Sequence, residues 1–309
     1  MWEAPTGRAL YNVLDRDVPG LPQSERSFRI SQIPTDRMVR SFKIFRNIIM
    51  ADIQPIYTQP KMKYSRNTYS VPQMILTIQA PDTASFASFV EKNGQTIIDF
   101  FTKTEMNRQI NLLKEEHNPV ISTKVGSIFG CDVMVPMEVQ KYKQGKDFIW
   151  ASTDRANADM NFVMYSYPYT DKNTFTKEYF IHKRDSVMKI NLPGASEGMY
   201  MTTADSIFVN VKNINVKGEY AFEARGLWEM ENDMMGGPFV SHARVDRPNG
   251  RVVVVEAFVY APKDKKRDMM RQLEAALYTL NLPQEQQIEE IVISPEVQEE
   301  KVQAPATAE

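Results

Sequence analysis

The chain has 309 residues, of which 42% are hydrophobic and 25% are charged, and these proportions are ordinary for a folded globular protein. A formal net charge of -2 with a pI of about 6.1 excludes the overall basic excess that draws proteins to nucleic acids or to anionic membranes. The single cysteine, Cys131, excludes an internal disulfide framework, and we expect it to be a small buried side chain at the start of a strand.

Membrane-spanning and targeting segments are not recognised in the sequence. No stretch approaches the roughly 20 consecutive apolar residues that a transmembrane helix needs. The N-terminus also lacks the pattern of a signal peptide. Trp2 follows Met1 directly, so the chain starts abruptly, and we expect a folded element to have been removed ahead of it.

The N-terminal region mixes helical and extended patterns. The spacing of apolar residues predicts a helix over residues 7–14, and alternation of apolar and polar residues predicts a half-buried strand over 28–33. Residues 42–53 suit a strand or a kinked extended segment. Residues 54–66 contain two prolines and show no period, so we predict a loop.

A strand followed by a long helical pattern completes the first part of the chain. Residues 74–79 are apolar and read as the strand, and the helical spacing continues over 86–116. We expect this pattern to break at Asn93-Gly94, because glycine costs about 1 kcal/mol inside a helix and is common just past a helix end.

The middle of the chain repeats the order of strand, proline and helix. Residues 162–167 form an aromatic-rich strand that Pro168 ends, and Asp171 is placed to cap a helix over 175–188. Further elements are predicted before this strand: a helix over 120–129 and strands over 131–135 and 147–153.

The last part of the chain is the most strongly patterned. A strand over 220–230 precedes a hairpin of strands 239–246 and 252–260. Pro248-Asn249-Gly250 fits a three-residue loop ending in a glycine bulge, which places Arg247 opposite Arg251. A helix ending at residue 280 follows.

These patterns predict an α+β fold with mostly antiparallel or mixed sheets and helices packed on one face. The similar order of elements suggests two to three related β-β-β-α modules that arose by duplication. We place the modules at residues 1–118, 119–195 and 196–282, with a single compact domain as the alternative. Residues 283–309 are rich in Glu, Gln, Pro and Ala and are predicted to be a mostly disordered tail.

Sequence motifs for cofactor or metal chemistry are not found. The three histidines, His117, His182 and His242, are far apart and lack ligand spacing. Glycine-rich phosphate loops and a G-x-S-x-G nucleophile elbow do not occur. We therefore expect no metal and no cofactor, and the lack of a basic excess predicts no nucleic-acid partner.

One pair of side chains could support general acid–base chemistry. The predicted hairpin register places His242 opposite Glu256, with Arg244 and Arg225 on the same surface of the sheet. An imidazole beside a carboxylate can transfer protons, and nearby arginine could hold an anionic group. The alternative is a cross-strand polar pair that only stabilises the sheet.

Aromatic side chains and one loop are the remaining candidate binding residues. Tyr165, Tyr167 and Trp228 could stack on a sugar or another ring, although alternating aromatic residues on a strand are more often half-buried core residues. The loop 230–238 contains two glycines and several methionines, so it suits contact with a partner, or it is a plain hairpin connection.

Several segments resemble a known family. They are GRALY (7–11), VPGLPQ (18–23), WAST (150–153), YPYTD (167–171), GLW (226–228) and GGPFVSHAR (236–244). The chain resembles a family of uncharacterised Bacteroidetes lipoprotein-like proteins, a domain of unknown function (DUF4837), nearly throughout its length to about Pro283.

The resemblance implies a location and no chemistry. Members of this family typically begin with a lipoprotein signal peptide and a lipidated cysteine, then a short strand before the tryptophan that matches Trp2. This chain shows neither, so we expect a truncated start and, by resemblance, an envelope location in the periplasm or at the outer membrane. The family supplies no functional residues to carry over.

Three hypotheses about function follow. The first is a non-catalytic envelope module that binds or assembles with a protein or a glycan. The second is a hydrolase-type enzyme that uses His242 and Glu256 with nearby arginine. The third is a purely structural repeat protein.

Overall fold

The computed structural model describes residues 2–34, 37–205, 209–285, 290–291 and 297–300. Within these residues seven α-helices and twelve β-strands form mixed and antiparallel sheets, so the predicted α+β fold class is confirmed. The chain divides into two compact units. The first unit comprises Met1–Asp17, Arg26–Glu105 and Val292–Glu309, and the second comprises Val18–Glu25 and Met106–Ile291.

The elements have the following bounds. The helices are α1 (Pro5–Leu14), α2 (Arg40–Lys43), α3 (Thr83–Lys92), α4 (Gly94–Glu115), α5 (Pro119–Phe129), α6 (Lys177–Asn191) and α7 (Arg267–Thr279). The strands are β1 (Asn47–Ile53), β2 (Lys61–Arg66), β3 (Met74–Ala80), β4 (Lys141–Gly145), β5 (Phe148–Ser152), β6 (Asp159–Pro168), β7 (Met201–Thr203), β8 (Asn210–Val216), β9 (Glu219–Met230), β10 (Gly236–Asp246), β11 (Arg251–Tyr260) and β12 (Gln298–Glu299).

The first unit contains a four-stranded sheet with the order β1-β3-β2-β12. Strand β3 is the most buried because it is paired along nearly its whole length on both sides, with parallel β1 and antiparallel β2, whereas β2 has only the two-residue β12 on its outer side. Helix α3 begins directly after β3, where the Asp82 side chain accepts a hydrogen bond from the Ser85 backbone N–H at 2.8 Å. The predicted break at Asn93-Gly94 is confirmed, since α3 ends at Lys92 and α4 begins at Gly94.

Two predictions for the first unit are wrong. The segment 28–33 is not a strand, although Phe28 and Ile30 do pack against the core of this unit. The predicted loop 54–66 contains β2, whose pairing with β3 overrides the weak pattern of its own sequence. The helix α1 and strand β3 are confirmed within a few residues.

The second unit is built on an eight-stranded antiparallel sheet with the order β4-β5-β6-β11-β10-β9-β7, and β8 also pairs with β9. Two three-stranded meanders, β4-β5-β6 and β9-β10-β11, meet where β6 pairs with β11 over ten residues, from Arg251↔Pro168 to Tyr260↔Asp159. Both the 119–195 and the 196–282 segments therefore contribute to one sheet. Their origin by duplication stays a prediction.

Helices cover both faces of this sheet, so the prediction that they pack on one face is wrong here. Val253 and Val255 belong to the core beneath α5 and α7, whereas Val252 and Val254 belong to the core beneath α6. A central strand that is buried on both faces reads as a continuous apolar run, and the four consecutive valines of β11 are such a run.

The helix starts in this unit use different caps. Asp171 caps the short 3-10 turn Lys172–Phe175, and Thr176 then caps α6. Lys266, the residue that precedes helix α7 at its N-cap position, makes no side-chain capping hydrogen bond. The carboxylate of Glu25 takes that place and accepts from the backbone N–H of Lys266 at 2.7 Å and of Arg267 at 3.2 Å.

Some elements of the second unit were not predicted. Strands β4, β7 and β8 carry no clear period in the sequence. The predicted strand 131–135 forms only an isolated bridge between Asp132 and Asn281. Cys131 is buried as predicted, and burial raises the pKa of its thiol to about 11.

The predicted disordered tail, residues 283–309, lies largely outside the described residues. The described part makes defined contacts: Glu285 pairs with Arg244, Val297 is buried, and β12 pairs with β2. The disorder of the tail as a whole stays a prediction. Among the helices of the described residues, none has both the length and the apolar composition needed to cross a membrane.

Candidate functional site

The register of the β10–β11 hairpin decides which polar side chains meet. Asp246 pairs with Arg251, so the connection has four residues, 247–250, instead of the predicted three. The Asp246 carboxylate stabilises this longer turn by accepting from Asn249 Nδ2 and Arg251 Nε, each at 2.8 Å. Gly250 takes the positive φ of +59° that the turn requires.

The predicted pairing of His242 with Glu256 is therefore wrong. His242 pairs with Val255 and Glu256 pairs with Ser241. A shift of one residue moves a side chain to the other face of a sheet, so His242 and Glu256 point to opposite faces. His242 points toward α7 and Glu256 points toward α6.

On the α6 face, Glu256 forms a buried ion pair with Arg184. Both side chains are fully buried. Arg184 Nε lies 3.1 and 3.0 Å from the two carboxylate oxygens, and Nη2 lies 2.7 Å from Oε1. Ser241 Oγ donates a further hydrogen bond to Glu256 Oε2. The carboxylate is therefore surrounded by donors and does not reach solvent.

The remaining donors of Arg184 are also engaged. Nη1 donates to Thr203 Oγ1 at 2.9 Å, and the Asp185 carboxylate accepts from the backbone N–H of Thr203 at 2.8 Å. The guanidinium lies 4.1 Å from the ring centre of Phe239. Burial disfavours the charged form of Arg184, but the Glu256 charge outweighs it, so the pKa of Arg184 lies above its usual value.

On the α7 face, His242 meets Glu223 as its cross-strand partner. The His242 Nε2 atom lies 3.5 Å from Glu223 Oε2, which is longer than an ordinary hydrogen bond. The imidazole also packs edge-on against Tyr278, with ring centres 4.8 Å apart. An imidazole and a carboxylate do meet here, but with a different glutamate and out of contact with water.

Arg225 joins two carboxylates on the same face. Its Nε and Nη2 donate to the Glu223 carboxylate at 2.8 and 3.0 Å, and its Nη1 donates to Glu274 Oε2 at 3.1 Å. Burial raises the pKa of Glu223, but the charge of Arg225 outweighs this effect and the pKa lies well below its usual value. Glu223 therefore stays ionised and tied to arginine.

Arg244, another candidate binding residue, is also buried. It donates to the backbone carbonyl of Leu280 at 3.2 Å and pairs with Glu285. Burial lowers the pKa of Arg244, although Glu285 opposes the shift. Lys217 shares the Leu280 carbonyl at 2.9 Å, and burial lowers the pKa of Lys217 to about 8.

The aromatic candidates lie in the core beneath α6. Tyr165 and Tyr167 stack with ring centres 6.3 Å apart, and Trp228 donates from Nε1 to the Val259 carbonyl at 3.3 Å. All three side chains are buried. Burial raises the pKa of both tyrosines, and in the described residues neither hydroxyl has a hydrogen-bond partner. A role in stacking on a ligand stays a prediction that their burial does not support.

The predicted contact loop is a short connection between β9 and β10. Met230 ends β9 and Gly236 begins β10, and Met234 between them is fully exposed. A surface depression of about 520 Å³ lies elsewhere in this unit, where Leu112, Met137 and Glu138 are among its lining residues. In the described part of the chain, no group of acidic, histidine or cysteine side chains is arranged to hold a metal ion.

The first unit exposes a surface that the sequence reasoning missed. Five large apolar side chains there are between 45% and 79% exposed: Val39, Ile44, Phe45, Tyr69 and Val71. The cations Arg37, Arg40, Lys43 and Arg46 recur every third residue through the same stretch, and no acidic residue interrupts them. We call these nine residues the basic–apolar patch.

Gln73 holds the two segments of the basic–apolar patch together. Its buried amide donates to the carbonyls of Lys43 at 2.5 Å and Phe45 at 2.8 Å, and accepts from the backbone N–H of Tyr69 at 2.9 Å. The Lys43 ammonium lies 5.0 Å from the ring centre of Tyr69. The backbone at Lys43, Phe45 and Tyr69 is thus anchored.

The sequence predicts only part of this surface. The regular spacing of the four cations among apolar residues is visible in the sequence, but the overall charge hides it. The contribution of Tyr69 and Val71 could not be found, because it depends on the bonds of Gln73 across 28 and 30 residues.

Two family models match the sequence. One is described as Domain of unknown function (DUF4837) and matches residues 118–279. The other is described as Domain of unknown function (DUF8532) and matches residues 1–114. A search of curated proteins found no significant match.

Proposed function

Because the DUF4837 model matches more than half of its residues, the chain belongs to the DUF4837 family, and from this premise we propose that it is a non-catalytic binding or assembly module of the cell envelope. The observation that carries the non-catalytic part is the burial of the two candidate catalytic side chains. His242 and Glu256 lie inside the sheet on opposite faces, and neither reaches solvent.

The ion pairs of these groups support the same proposal. A general acid or base must reach the proton that it transfers. Glu256 is surrounded by Arg184 and Ser241, and Glu223 is held by Arg225. Such groups orient the layers of the fold, and the hydrolase alternative loses the pair on which it depended.

The binding part of the proposal is supported by the basic–apolar patch. Contiguous exposed apolar side chains on a soluble protein mark surfaces that another molecule covers. The envelope location is supported by the resemblance of the chain to lipoprotein-like proteins.

A complementation experiment tests the non-catalytic role. The host gene is deleted and replaced by the double variant Arg184→Met with Glu256→Leu, which removes both charges while keeping apolar volume. We expect the variant to restore the phenotype whenever a thermal melt shows that it folds. A folded variant that fails to complement would show that the carboxylate has a chemical role. Ser241→Ala is a milder second variant for the same test.

Fractionation of the host tests the location. The full chain, expressed from its own gene with a C-terminal tag, should be recovered in the envelope fraction. Recovery in the cytoplasmic fraction, with an envelope marker correctly separated, would contradict the envelope proposal.

A further inference from the structure

We propose that the basic–apolar patch docks the first unit onto an anionic phospholipid surface, with the cations against the headgroups and the apolar side chains inserted among them. This inference rests on the proposed binding role and names the occupant of its surface. The proposed docking is peripheral, because the exposed apolar side chains come from two short segments, residues 39–45 and 69–71.

The charge of the patch favours an anionic occupant. Over residues 37–46 there are four cationic side chains and no acidic ones. Arg37 and Arg40 are exposed, and neither forms an ion pair with another described residue. Clusters of this kind next to a membrane are drawn to anionic lipids by an attraction that adds up over each cation and falls off within a Debye length.

The apolar side chains favour a lipid layer over a folded protein. Val71 is 79% exposed and Ile44 is 60% exposed, so most of each side chain is open to the surroundings. A protein partner would need matched pockets for each of them, whereas the boundary between headgroups and acyl chains accepts protruding apolar groups without matched pockets. Phe45 and Tyr69 are ring side chains of the type found at that boundary.

The anchoring of the patch keeps low the conformational entropy that would be lost on binding. Gln73 hydrogen-bonds to the backbone of both segments, at Lys43 and at Tyr69, and the rings of Phe42 and Phe45 pack with centres 6.0 Å apart. Binding therefore does not have to order a flexible loop, which would subtract from the affinity.

Vesicle flotation with the full chain tests the proposal. Phosphatidylcholine vesicles containing about one third phosphatidylglycerol should carry the protein upward, and pure phosphatidylcholine vesicles should not. High salt should weaken the binding, because the Debye length shrinks to about 3 Å at 1 M. Equal flotation with both vesicles, or none with either, would overturn the proposal.

Two pairs of substitutions separate the electrostatic and apolar parts. Arg37→Gln with Arg40→Gln should weaken partitioning into anionic vesicles by roughly 30-fold, since each cation raises the partition constant by a factor of about five. The matched control is Lys146→Gln with Lys172→Gln, which removes two exposed cations from the second unit and should change binding less than twofold.

For the apolar part, Ile44→Ser with Val71→Ser should weaken binding roughly tenfold or more. Ile190→Ser is the control, because Ile190 is 77% exposed and lies outside the patch. If the control variants lose as much binding as the patch variants, the patch is not the docking surface. If a patch variant does not fold, the lipid and salt comparisons on the unaltered chain still decide.

The failure of this inference can be distinguished from failure of the proposed function. The vesicle experiment uses purified protein, so its result does not depend on location in the cell. Absence of vesicle binding, together with patch-dependent binding to an acidic protein, would replace the lipid occupant by a protein. The binding role would then remain.

Discussion

Glu256 is a charged residue in the middle of β11, between Val255 and Ala257, and its burial is tolerated because Arg184 and Ser241 meet it there. A buried carboxylate without a partner would be strongly destabilising. With the bidentate arginine, much of that cost is offset, but an ion pair in a core seldom adds net stability over apolar side chains of similar volume. The pair fixes where α6 lies on the sheet.

Removing one partner of the pair should be far more damaging than removing both. We expect Arg184→Met to lower the free energy of unfolding by about 3–5 kcal/mol, because it leaves the Glu256 carboxylate buried and uncompensated. Urea denaturation measures this change. The double variant Arg184→Met with Glu256→Leu should recover most of the loss, and additive losses from the two single substitutions would contradict the buried-pair account.

The sequence allows one half of this pair to be foreseen. A glutamate after four valines reads as a buried charge that needs a partner. Nothing in the spacing identifies that partner as Arg184, which lies 72 residues away on a helix. The candidate site was incomplete because long-range contacts between side chains leave no local pattern.

At the scale of elements, periodicity located the long helices and the central strands but left the turn length undecided. The helix break at Asn93-Gly94 followed from glycine, β9 followed from alternation, and the hairpin of β10 and β11 followed from two apolar runs around a turn signal. The predicted hairpin register was wrong by one residue because the turn has four residues instead of three. Asp246 ends β10, and its carboxylate holds the longer turn by accepting from Asn249 and Arg251. The extra turn residue places His242 on the face of the sheet opposite to Glu256.

Strand β10 passes very close to β11 at Gly237. A Cβ atom added there would lie 2.0 Å from the Val259 carbonyl oxygen, and backbone cannot yield as a flexible side chain can. We expect Gly237→Ala to force the two strands apart and to destabilise the protein by several kcal/mol, about 3 or more. The thermal unfolding midpoint should fall sharply.

Gly126 provides the matched control for this substitution. It lies inside helix α5, where an added Cβ would meet only the Cys131 carbonyl at 3.8 Å, an ordinary contact. Gly126→Ala should stabilise the protein by up to about 1 kcal/mol, because alanine is the better helix former. Similar melting temperatures for both variants would show that close packing at Gly237 does not matter.

At the scale of the whole molecule, averaging the charge over the chain concealed the basic–apolar patch. A net charge of -2 led us to expect no attraction to anionic partners, although four cations lie within residues 37–46. Charge acts over about a Debye length, roughly 8 Å under physiological conditions, so local clusters matter more than the total. The α+β class was predictable because it depends on many elements together, and single errors in elements did not change it.

The protein should lose stability in alkali because it buries several tyrosines. Burial raises the pKa of Tyr165, Tyr167 and Tyr278 above the ordinary 10.0. Between about pH 10 and the folded pKa, the unfolded chain binds fewer protons than the folded protein, so the free energy of unfolding falls as the pH rises. Lys217 opposes this trend, because its folded pKa of about 8 lies below the unfolded 10.5.

A comparison with Tyr167→Phe isolates one tyrosine from these combined effects. Above about pH 10 the unaltered protein should lose stability faster than the variant, by up to about 1.4 kcal/mol per pH unit, because only it must ionise that phenol on unfolding. Urea denaturation at several pH values from about 8 to 11 measures both curves. Tyr142, which is 43% exposed, supplies the control: Tyr142→Phe should follow the unaltered protein. Parallel curves for Tyr167→Phe and the unaltered protein would mean that the Tyr167 hydroxyl is not held protonated by the core.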